Sequence, residues 1–550
     1  MTFNRNLFRT VIGLCLTSPL PLVGQDLEHA PATESIRESD LRRDVSFLTA
    51  DTMAGRLTGT SGNRLAGDFI GDRFAQLGLT PLGGSNYRMP FNLIDPTLDN
   101  TGSHRLTING TAPTTFTLGH DFYPERFSAS GEQSGAVVFL GFGITAPDLG
   151  HDDYGDYDLN KKIVLVLNHE PAENDQSKSF DRTKPSEYAR SVRKAIEAQR
   201  RGAVAVLFVS DTHNHDVASN LDTAMERAWP GRANSTPRYE LGAWVEQIYI
   251  PTIRISTTVA DQLAAHVGTT LSELAVLAES EDFKPHELDA SVTVETQVSR
   301  QTVTVDNLLG LIEGQDDSLR HEWVIIGGHY DHEGATATNV YHGADDNASG
   351  IAGILEIAEA FSFASLAGQS PSRSVLFAAW NAEERGLLGS WAYTEMPVTP
   401  LSDTVAVVNL DMIGRNEEIP DGRSRRFFGL PPQPASSNIN SVNILGYSLS
   451  NDLRNAAVAA NTVDLTLKFR YDHNQSNLLR RSDQWPFLAR GIPALFVHTG
   501  LHPDYHTVRD SADKLNYKKM TRIVQFAYQL AWNLSKSDER PALNRTNDQP

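Results

Sequence analysis

Apolar runs and helical patterns alternate in the C-terminal half of the chain. From residue 307 onward, runs rich in Val, Ile, Leu and Ala are separated by stretches of helical spacing such as residues 351–361. Runs this apolar are typical of strands buried on both faces, and their alternation with helices predicts a helix-covered α/β sheet. The predicted strands are residues 323–327, 374–380, 404–410 and 493–497.

The remainder of the chain has a different pattern. Residues 37–79 show helical spacing around a Gly-rich turn, and residues 85–125 predict short strands between Gly, Asn and Pro turns. Residues 131–296 contain further strand runs with helices between them. This middle segment predicts a second, smaller α/β unit within the usual size range of a domain.

Length favours more than one domain. The chain has 550 residues, whereas single hydrophobic cores usually stop growing near ~250–300 residues. We expect a mixed, mostly parallel central sheet flanked by helices, with a smaller α/β domain inserted in it. The expected division is a signal segment at 1–25, the N-terminal part of the main domain at 26–130, the inserted domain at 131–296 and the rest of the main domain at 297–550.

The charge balance excludes some partners. The formal net charge is −20, from 48 Lys and Arg against 68 Asp and Glu. Nucleic acids and anionic membranes both bind basic surfaces, so neither is expected as a partner.

The first 25 residues have the pattern of an export signal. Arg5 and Arg9 precede the mostly apolar residues 11–23, a stretch shorter than the ~20 residues that span a bilayer. We expect export to the periplasm or the extracellular space without a stable membrane anchor. Cys15 is the only cysteine, so the exported chain would hold no disulfide and no thiol nucleophile.

Acidic and histidine residues follow each predicted strand of the main domain. In order along the chain they are His329 and Asp331, Glu383 and Glu384, Asp411, and Tyr505 with His506, while Asp346 precedes the helix at 351–361. Each alone has an ordinary explanation, as a loop residue, a solvated helix start or a cap. Because ligands of open α/β sheets bind outside the carboxyl ends of the strands, their convergence on one edge favours a metal site.

The donor types favour a pair of zinc ions. Imidazole and carboxylate suit Zn²⁺, and no thiolate is available. Two ions ~3.5–4 Å apart need a carboxylate between them, further ligands, and a base for the attacking water. Two histidines and three acids can serve as ligands, which leaves one glutamate for the base.

Five ordered motifs resemble those of the M28 zinc aminopeptidases. The motifs are Gly-Gly-His329-Tyr-Asp331-His, Gly-Ala-Asp-Asp346-Asn-Ala-Ser-Gly, Asn-Ala-Glu383-Glu384-Arg-Gly-Leu-Leu-Gly-Ser, Asn-Leu-Asp411-Met-Ile-Gly and Asp-Tyr-His506-Thr. The resemblance covers most of residues 300–520. Residues 131–296 resemble the protease-associated (PA) domain often inserted in such enzymes, and residues 40–90 resemble the family's leading helices.

The resemblance implies a ligand set. One zinc would be held by His329 and Asp411, and the other by Glu384 and His506. Asp346 would bridge the two ions, and the Asp346–Asn347 peptide is expected to be cis.

The resemblance also implies roles for three further residues. Glu383 would be the general base that takes a proton from the attacking water and returns it to the leaving amine. Asp331 would orient His329, and Tyr505 would donate a hydrogen bond to the tetrahedral oxyanion. Where many relatives have Ser-Asp-His, this chain has Ser482-Asp483-Gln484, which leaves the finer substrate contacts open.

The expected activity is removal of N-terminal residues from peptide substrates, because an acidic edge favours a cationic amine. A carboxypeptidase of the same architecture is an alternative, since Arg480, Arg481 and Arg490 could hold a C-terminal carboxylate. A non-catalytic, receptor-like interaction protein is another, although such proteins typically lose ligands or the base. The complete ligand set disfavours a single-zinc glutaminyl cyclase.

Overall fold

The computed structural model describes residues 29–82, 86–99, 102–172, 180, 186–210, 221–230, 236–280, 282–422 and 425–544. The expected signal segment at 1–25 lies outside the described residues.

The strands of the described residues form two large sheets and one small two-stranded sheet. In chain order they are β1 (Thr80–Pro81), β2 (Arg88–Leu98), β3 (Arg105–Ile108), β4 (Thr114–Thr115), β5 (Phe122–Pro124), β6 (Gly131–Phe139), β7 (Thr145–Ala146), β8 (His151–Asp152), β9 (Ile163–Leu167), β10 (Ala205–Val209), β11 (Glu240–Leu241), β12 (Thr252–Ile255), β13 (His286–Thr296), β14 (Val298–Ile312), β15 (Trp323–His329), β16 (Ser374–Trp380), β17 (Thr404–Leu410), β18 (Ser441–Leu445), β19 (Thr466–Phe469) and β20 (Ala494–His498).

The α-helices follow the same order. They are α1 (Glu38–Leu48), α2 (Ser61–Gln76), α3 (Ser191–Arg200), α4 (Leu221–Ala228), α5 (Gly242–Val245), α6 (Thr257–Ala264), α7 (Leu271–Ala278), α8 (Gly350–Leu366), α9 (Leu388–Glu395), α10 (Asn451–Ala460), α11 (Gln484–Leu488) and α12 (Tyr517–Lys536). Two shorter helical segments, Asp51–Arg56 and Ala344–Ser349, bear on the site described below.

The larger sheet has ten strands in the order β11-β2-β14-β16-β15-β17-β20-β18-β19, with β1 beside β14. Its centre, β16-β15-β17-β20, is parallel, as is β18 with β19, while the other pairs are antiparallel. Apolar side chains of α1, α8 and α12 pack on one face and those of α9 and α11 on the other. The predicted mixed sheet flanked by helices is confirmed, and its parallel part lies at the centre.

The four central strands lie close to where the apolar runs predicted them. The strands β16 and β17 have the predicted bounds, β15 extends two residues further, and β20 is shifted by one residue. Every residue of these strands is buried, which explains why their sequences are continuously apolar rather than alternating.

The second large sheet has eight strands in the order β4-β3-β13-β6-β9-β10-β12-β5. Its first strand starts at Arg105, whereas the expected inserted domain starts at 131. The short strands β3 and β5 pair with β13 and β12, more than a hundred residues along the chain. Local sequence patterns do not reveal such distant pairing, which is why the sequence predicts a boundary at 131 rather than at Arg105.

The two sheets are joined by more than a linker. Strand β11 lies within 131–296 but pairs with β2 of the larger sheet. A shared apolar cluster includes Trp244 from the middle segment and Trp391 from α9, whose rings lie 5.7 Å apart. The smaller lobe is therefore packed against the main domain through a common core.

One stretch of the described residues, Ala344–Leu366, passes a length-and-composition test for a membrane-spanning helix. It contains α8, and 78% of its most apolar window is buried inside the protein. Burial of this kind is also found for the central helix of a folded core.

Candidate metal centre

The ends of the central strands are aligned in register. His329 ends β15 and lies beside Trp380, which ends β16. Leu410 ends β17 and lies beside Val497 of β20. The segments that follow these strands therefore leave the sheet at one edge, as expected for a ligand site of an α/β sheet.

Asp346 lies between two histidines at this edge. Its Oδ1 is 3.3 Å from Nε2 of His329, and its Oδ2 is 3.0 Å from Nε2 of His506. The Asp346–Asn347 peptide is cis, as expected from the resemblance. One carboxylate thus presents one oxygen to each side of the site.

Each histidine has a second carboxylate beside it. Nε2 of His329 is 3.4 Å from Oδ1 of Asp411, and Nε2 of His506 is 3.2 Å from Oε2 of Glu384. Ligand atoms at 2.0–2.2 Å from a shared tetrahedral Zn²⁺ lie roughly 3.3–3.5 Å apart. The donor atoms therefore have spacings close to those required around two neighbouring ions.

Two carboxylate oxygens of the site are buried and accept no well-aligned hydrogen bond among the described residues, although each faces a histidine Nε2. They are Oδ2 of Asp346 and Oδ1 of Asp411. Because a buried anionic oxygen is costly unless a positive charge or a well-aligned donor faces it, these atoms fit a cation.

The electrostatics of the site also favour positive charge. Burial would lower the pKa of His506, but the carboxylates of Glu384 and Asp346 outweigh it and raise the pKa to about 11. Burial raises the pKa of Glu383 well above its usual range; His329 opposes this shift, and the carboxylates of Glu384, Asp483 and Asp411 add to it. A cation would relieve the repulsion that these carboxylates exert on one another.

Glu383 lies at the site but is not part of any of the four short distances given above, which join the two histidines to Asp346, Asp411 and Glu384. Its Oε2 is 3.9 Å from Nε2 of His329, and the residue is 9% exposed. It lines a cavity with Tyr505, whose ring lies 3.8 Å from that of His506. Burial and the surrounding carboxylates raise the pKa of Tyr505 well above its usual range, so its hydroxyl keeps its proton.

Asp331 contacts the loop that carries the two glutamates. Its carboxylate accepts hydrogen bonds from the backbone N–H groups of Glu383 and Glu384 at 3.0 and 3.3 Å. Nδ1 of His329 lies 3.2 Å from the backbone oxygen of Asp331 and 3.8 Å from its carboxylate. The carboxylate thus fixes the glutamate loop more directly than it fixes His329, the residue it was expected to orient.

Residues 307–531 match the model of Peptidase family M28. The matched segment contains the histidines and acids of the site, from His329 to His506.

Curated relatives of this chain carry three kinds of description. It is 27% identical over 266 residues to a probable zinc metalloprotease of Pyrenophora tritici-repentis (strain Pt-1C-BFP), which covers 44% of this chain and 59% of the relative. It is 24% identical over 339 residues to the probable glutamate carboxypeptidase AMP1 of Arabidopsis thaliana, and the match covers 58% of this chain and 44% of the relative. It is 40% identical over 111 residues to the aminopeptidase NAALADL1 of Mus musculus, and the match covers 20% of this chain and 14% of the relative. The matches therefore span less than two thirds of these relatives' own lengths.

Among solved structures, the chain is similar to the aminopeptidase from Aneurinibacillus sp. strain AM-1. The TM-score is 0.46 with 20% sequence identity, and the match covers 92% of this chain and 96% of the other.

Several residues that support the site carry no clear signal in the sequence. Arg56 is buried and donates hydrogen bonds to four backbone oxygens, which belong to Tyr330, Leu48, His342 and Gly343. The bonds to Tyr330, His342 and Gly343 hold the segment between β15, which ends at His329, and the helical segment that carries Asp346. The sequence shows Arg56 as part of the Ala54-Gly55-Arg56 turn, but it does not reveal that the side chain binds backbone oxygens nearly 300 residues further along the chain.

His332 is a second unassigned residue. It is fully buried, and its Nδ1 lies 2.8 Å from Oε1 of Glu384. It is the last residue of the first motif, three residues after His329, and only this position in the sequence indicates that it lies near the site.

Gln484, the departure from the common Ser-Asp-His pattern, is not among the residues that line the cavity. It is buried, its Oε1 accepts a hydrogen bond from Asn409 at 3.0 Å, and its Nε2 donates one to the backbone oxygen of Leu479 at 2.5 Å. The cavity is instead lined on this side by Leu478 and Arg481. Gln484 therefore supports the end of β17 rather than a substrate.

Within the described residues, the groups of histidines and acids that could hold a metal ion all lie between His329 and His506. The smaller lobe contributes none of them. Glu187 of this lobe nonetheless contacts the main domain, where its Oε1 accepts a hydrogen bond from Nε1 of Trp485 at 3.4 Å.

Proposed function

We propose that this chain is an exported zinc aminopeptidase that removes N-terminal residues from peptides. The observation that carries the proposal is the position of Asp346, with one carboxylate oxygen beside His329 and the other beside His506. A single carboxylate placed in this way suits a pair of divalent ions.

Five residues would hold the two zinc ions. His329 and Asp411 would bind one ion, His506 and Glu384 the other, and Asp346 both. When bound, the ions would lower the pKa of a water molecule and polarise the peptide carbonyl.

Glu383 would act as the general base. It takes no part in the four short distances between the proposed ligands, and it lines the same cavity as Asp346 and Asp411. Burial and neighbouring acids hold its pKa above the usual range, so it can accept a proton at Oε2 and pass it to the leaving amine.

Tyr505 would stabilise the oxygen of the scissile carbonyl. Its ring packs on His506 and its side chain lines the cavity. A phenol that keeps its proton can donate a hydrogen bond to an oxygen that gains negative charge.

The acids of the cavity favour binding of a free N-terminal amine. Asp346, Glu383 and Asp411 all line the cavity, and a cationic amine is stabilised by carboxylates in a buried site. Of the three arginines that could bind a C-terminal carboxylate, two are engaged by other side chains. Arg490 donates to Glu395 at 2.5 Å, and Arg480 packs 4.1 Å over the ring of Trp485.

A carboxypeptidase is the second candidate, and one specific observation favours it. Arg481 lines the cavity and is exposed, so its guanidinium could bind a C-terminal carboxylate. One relative is described as a probable glutamate carboxypeptidase and another as an aminopeptidase.

The test is a matched pair of peptides of one sequence, the first N-acetylated and the second C-amidated, given to the zinc-loaded protein. An aminopeptidase cleaves the amidated peptide and spares the acetylated one, and a strong chelator abolishes cleavage. Cleavage of the acetylated peptide alone would instead establish the carboxypeptidase. A zinc-loaded protein that cleaves neither peptide would contradict both.

A further inference from the structure

His332 makes a contact that the proposed function does not use. The ring is fully buried, and its Nδ1 lies 2.8 Å from Oε1 of Glu384 and 3.8 Å from Oδ2 of Asp346. Both neighbours are ligands in the proposed site. The position of His332 therefore bears directly on how those ligands are held.

The direction of the hydrogen bond follows from the acceptor. An ionised carboxylate can only accept, so Nδ1 of His332 carries a proton and donates it to Oε1 of Glu384. The other oxygen, Oε2, is 3.2 Å from Nε2 of His506. The two oxygens of Glu384 thus have separate tasks, one toward His332 and one toward the proposed ion.

The imidazole ring of His332 is itself held in place. A Cβ at Gly343 would lie 2.5 Å from Cδ2 and 2.6 Å from Cγ of the ring, so the ring packs closely against this glycine. The backbone N–H of His332 donates to the oxygen of Arg56 at 3.3 Å. Its Nε2 is buried and has no hydrogen-bond partner among the described residues. Within the described structure, the ring's hydrogen bonding is therefore directed at Glu384.

We propose that His332 is a positioning residue that fixes the carboxylate of Glu384 and so presents Oε2 to the ion on the His506 side. The inference rests on the proposed two-zinc function. A partner that orients a ligand in this way contributes about 10–100-fold to metal affinity. Much of the effect arises because the glutamate side chain is ordered before the ion binds.

The distances favour this role over direct ligation. Ligand atoms around one tetrahedral Zn²⁺ lie roughly 3.3–3.5 Å apart, whereas Nδ1 of His332 lies 2.8 Å from the glutamate oxygen, at hydrogen-bond length. His332 and Glu384 therefore contact each other directly.

The experiment compares His332→Asn with His332→Leu in the full chain. The amide nitrogen of asparagine can take the place of Nδ1 as a donor to Glu384, whereas leucine cannot donate. Zinc bound per chain is measured by mass spectrometry against a graded series of competing chelator. We expect His332→Leu to weaken one of the two zinc ions about 10–100-fold and to spare the other, and His332→Asn to recover most of the loss.

Other outcomes would overturn the proposal. Wild-type affinity for both ions in His332→Leu would show that the contact does not position Glu384, and loss without recovery in His332→Asn would indicate direct ligation. Equal weakening of both ions, matched by a loss of stability in the metal-free variant, would indicate a purely structural role.

Two controls separate these results from a failure of the proposed function. His321 is exposed, and His321→Leu is expected to keep wild-type zinc affinity. Wild-type protein that binds no zinc would reject the two-zinc function itself, whatever the variants do.

Discussion

The carboxylate of Asp510 accepts a hydrogen bond from the backbone N–H of Asp346 at 3.1 Å. The same carboxylate also accepts from the N–H of Asp345 at 3.0 Å. Asp510 is buried and follows His506 by four residues. It therefore links the segment of one proposed ligand to the turn that carries another.

We predict that Asp510→Asn weakens zinc binding about 10-fold or more. The amide keeps only one acceptor oxygen, whereas the N–H of Asp345 lies near both oxygens of the carboxylate, and it loses the negative charge that strengthens these bonds. The measurement is zinc per chain under chelator competition. Asp513 is exposed, so Asp513→Asn is the control and should bind zinc as the wild type does. Unchanged affinity in Asp510→Asn would contradict the link.

Substitutions of the adjacent residues Glu383 and Glu384 should have different effects, the first on turnover and the second on zinc affinity. Glu383→Gln is expected to keep both ions and lose about 10²–10⁴-fold in kcat, since general-base catalysis contributes this much. Glu384→Gln is expected to lose affinity for one ion. Zinc content and turnover of a free-amine aminoacyl anilide are measured together on both variants. Near-native turnover in Glu383→Gln would show that another group is the base.

Gly55 and Gly78 offer a matched pair of substitutions. Both have positive φ, +68° and +72°, so alanine should cost about 1–2 kcal/mol in the free energy of unfolding at either position. At Gly55 the added Cβ would lie 2.1 Å from the backbone oxygen of Gly334, whereas at Gly78 nothing lies within 4 Å.

Gly55→Ala is therefore expected to cost about 1–3 kcal/mol more than Gly78→Ala, because the backbone of Gly334 must move. Denaturant unfolding of the two zinc-loaded variants measures the difference. Equal losses would mean that the turn at Gly55 does not press on the segment after β15.

Lys519 should make stability depend on pH. Burial lowers the pKa of Lys519 from 10.5 to about 7; Asp345 and Glu417 oppose the shift and Lys468 adds to it. Between these two pKa values the unfolded chain binds a proton that the folded chain has released. The contribution of Lys519 to stability therefore rises with pH across this window, by up to about 1.4 kcal/mol per pH unit.

We expect the free energy of unfolding of the wild type, minus that of Lys519→Met, to increase as pH rises from 7 toward 10.5. Denaturant titrations of both zinc-loaded proteins at several pH values in this window give the difference. The neighbouring Lys518 is exposed, and Lys518→Met should show no such trend. A flat difference for Lys519→Met would refute the prediction.

Sequence alone was sufficient for the central sheet and for the residues at its edge. The apolar runs that became β15, β16, β17 and β20 are continuous because these strands are buried on both faces. The position of a histidine or acid directly after a buried strand also follows from local sequence, since the chain must leave the sheet there. For this reason the candidate ligands could be named before their distances were known.

Only the tertiary structure decided how those residues meet and what supports them. Asp346 does not follow a strand, and its place between His329 and His506 depends on a turn whose N–H groups are held by Asp510. The pairing of β3 with β13, which moved the lobe boundary to Arg105, is equally distant in sequence. Hydrogen-bond partners and strand registers join residues that are hundreds of positions apart. A local pattern of apolar and polar residues fixes the elements, whereas the contacts between them form only when the whole chain packs.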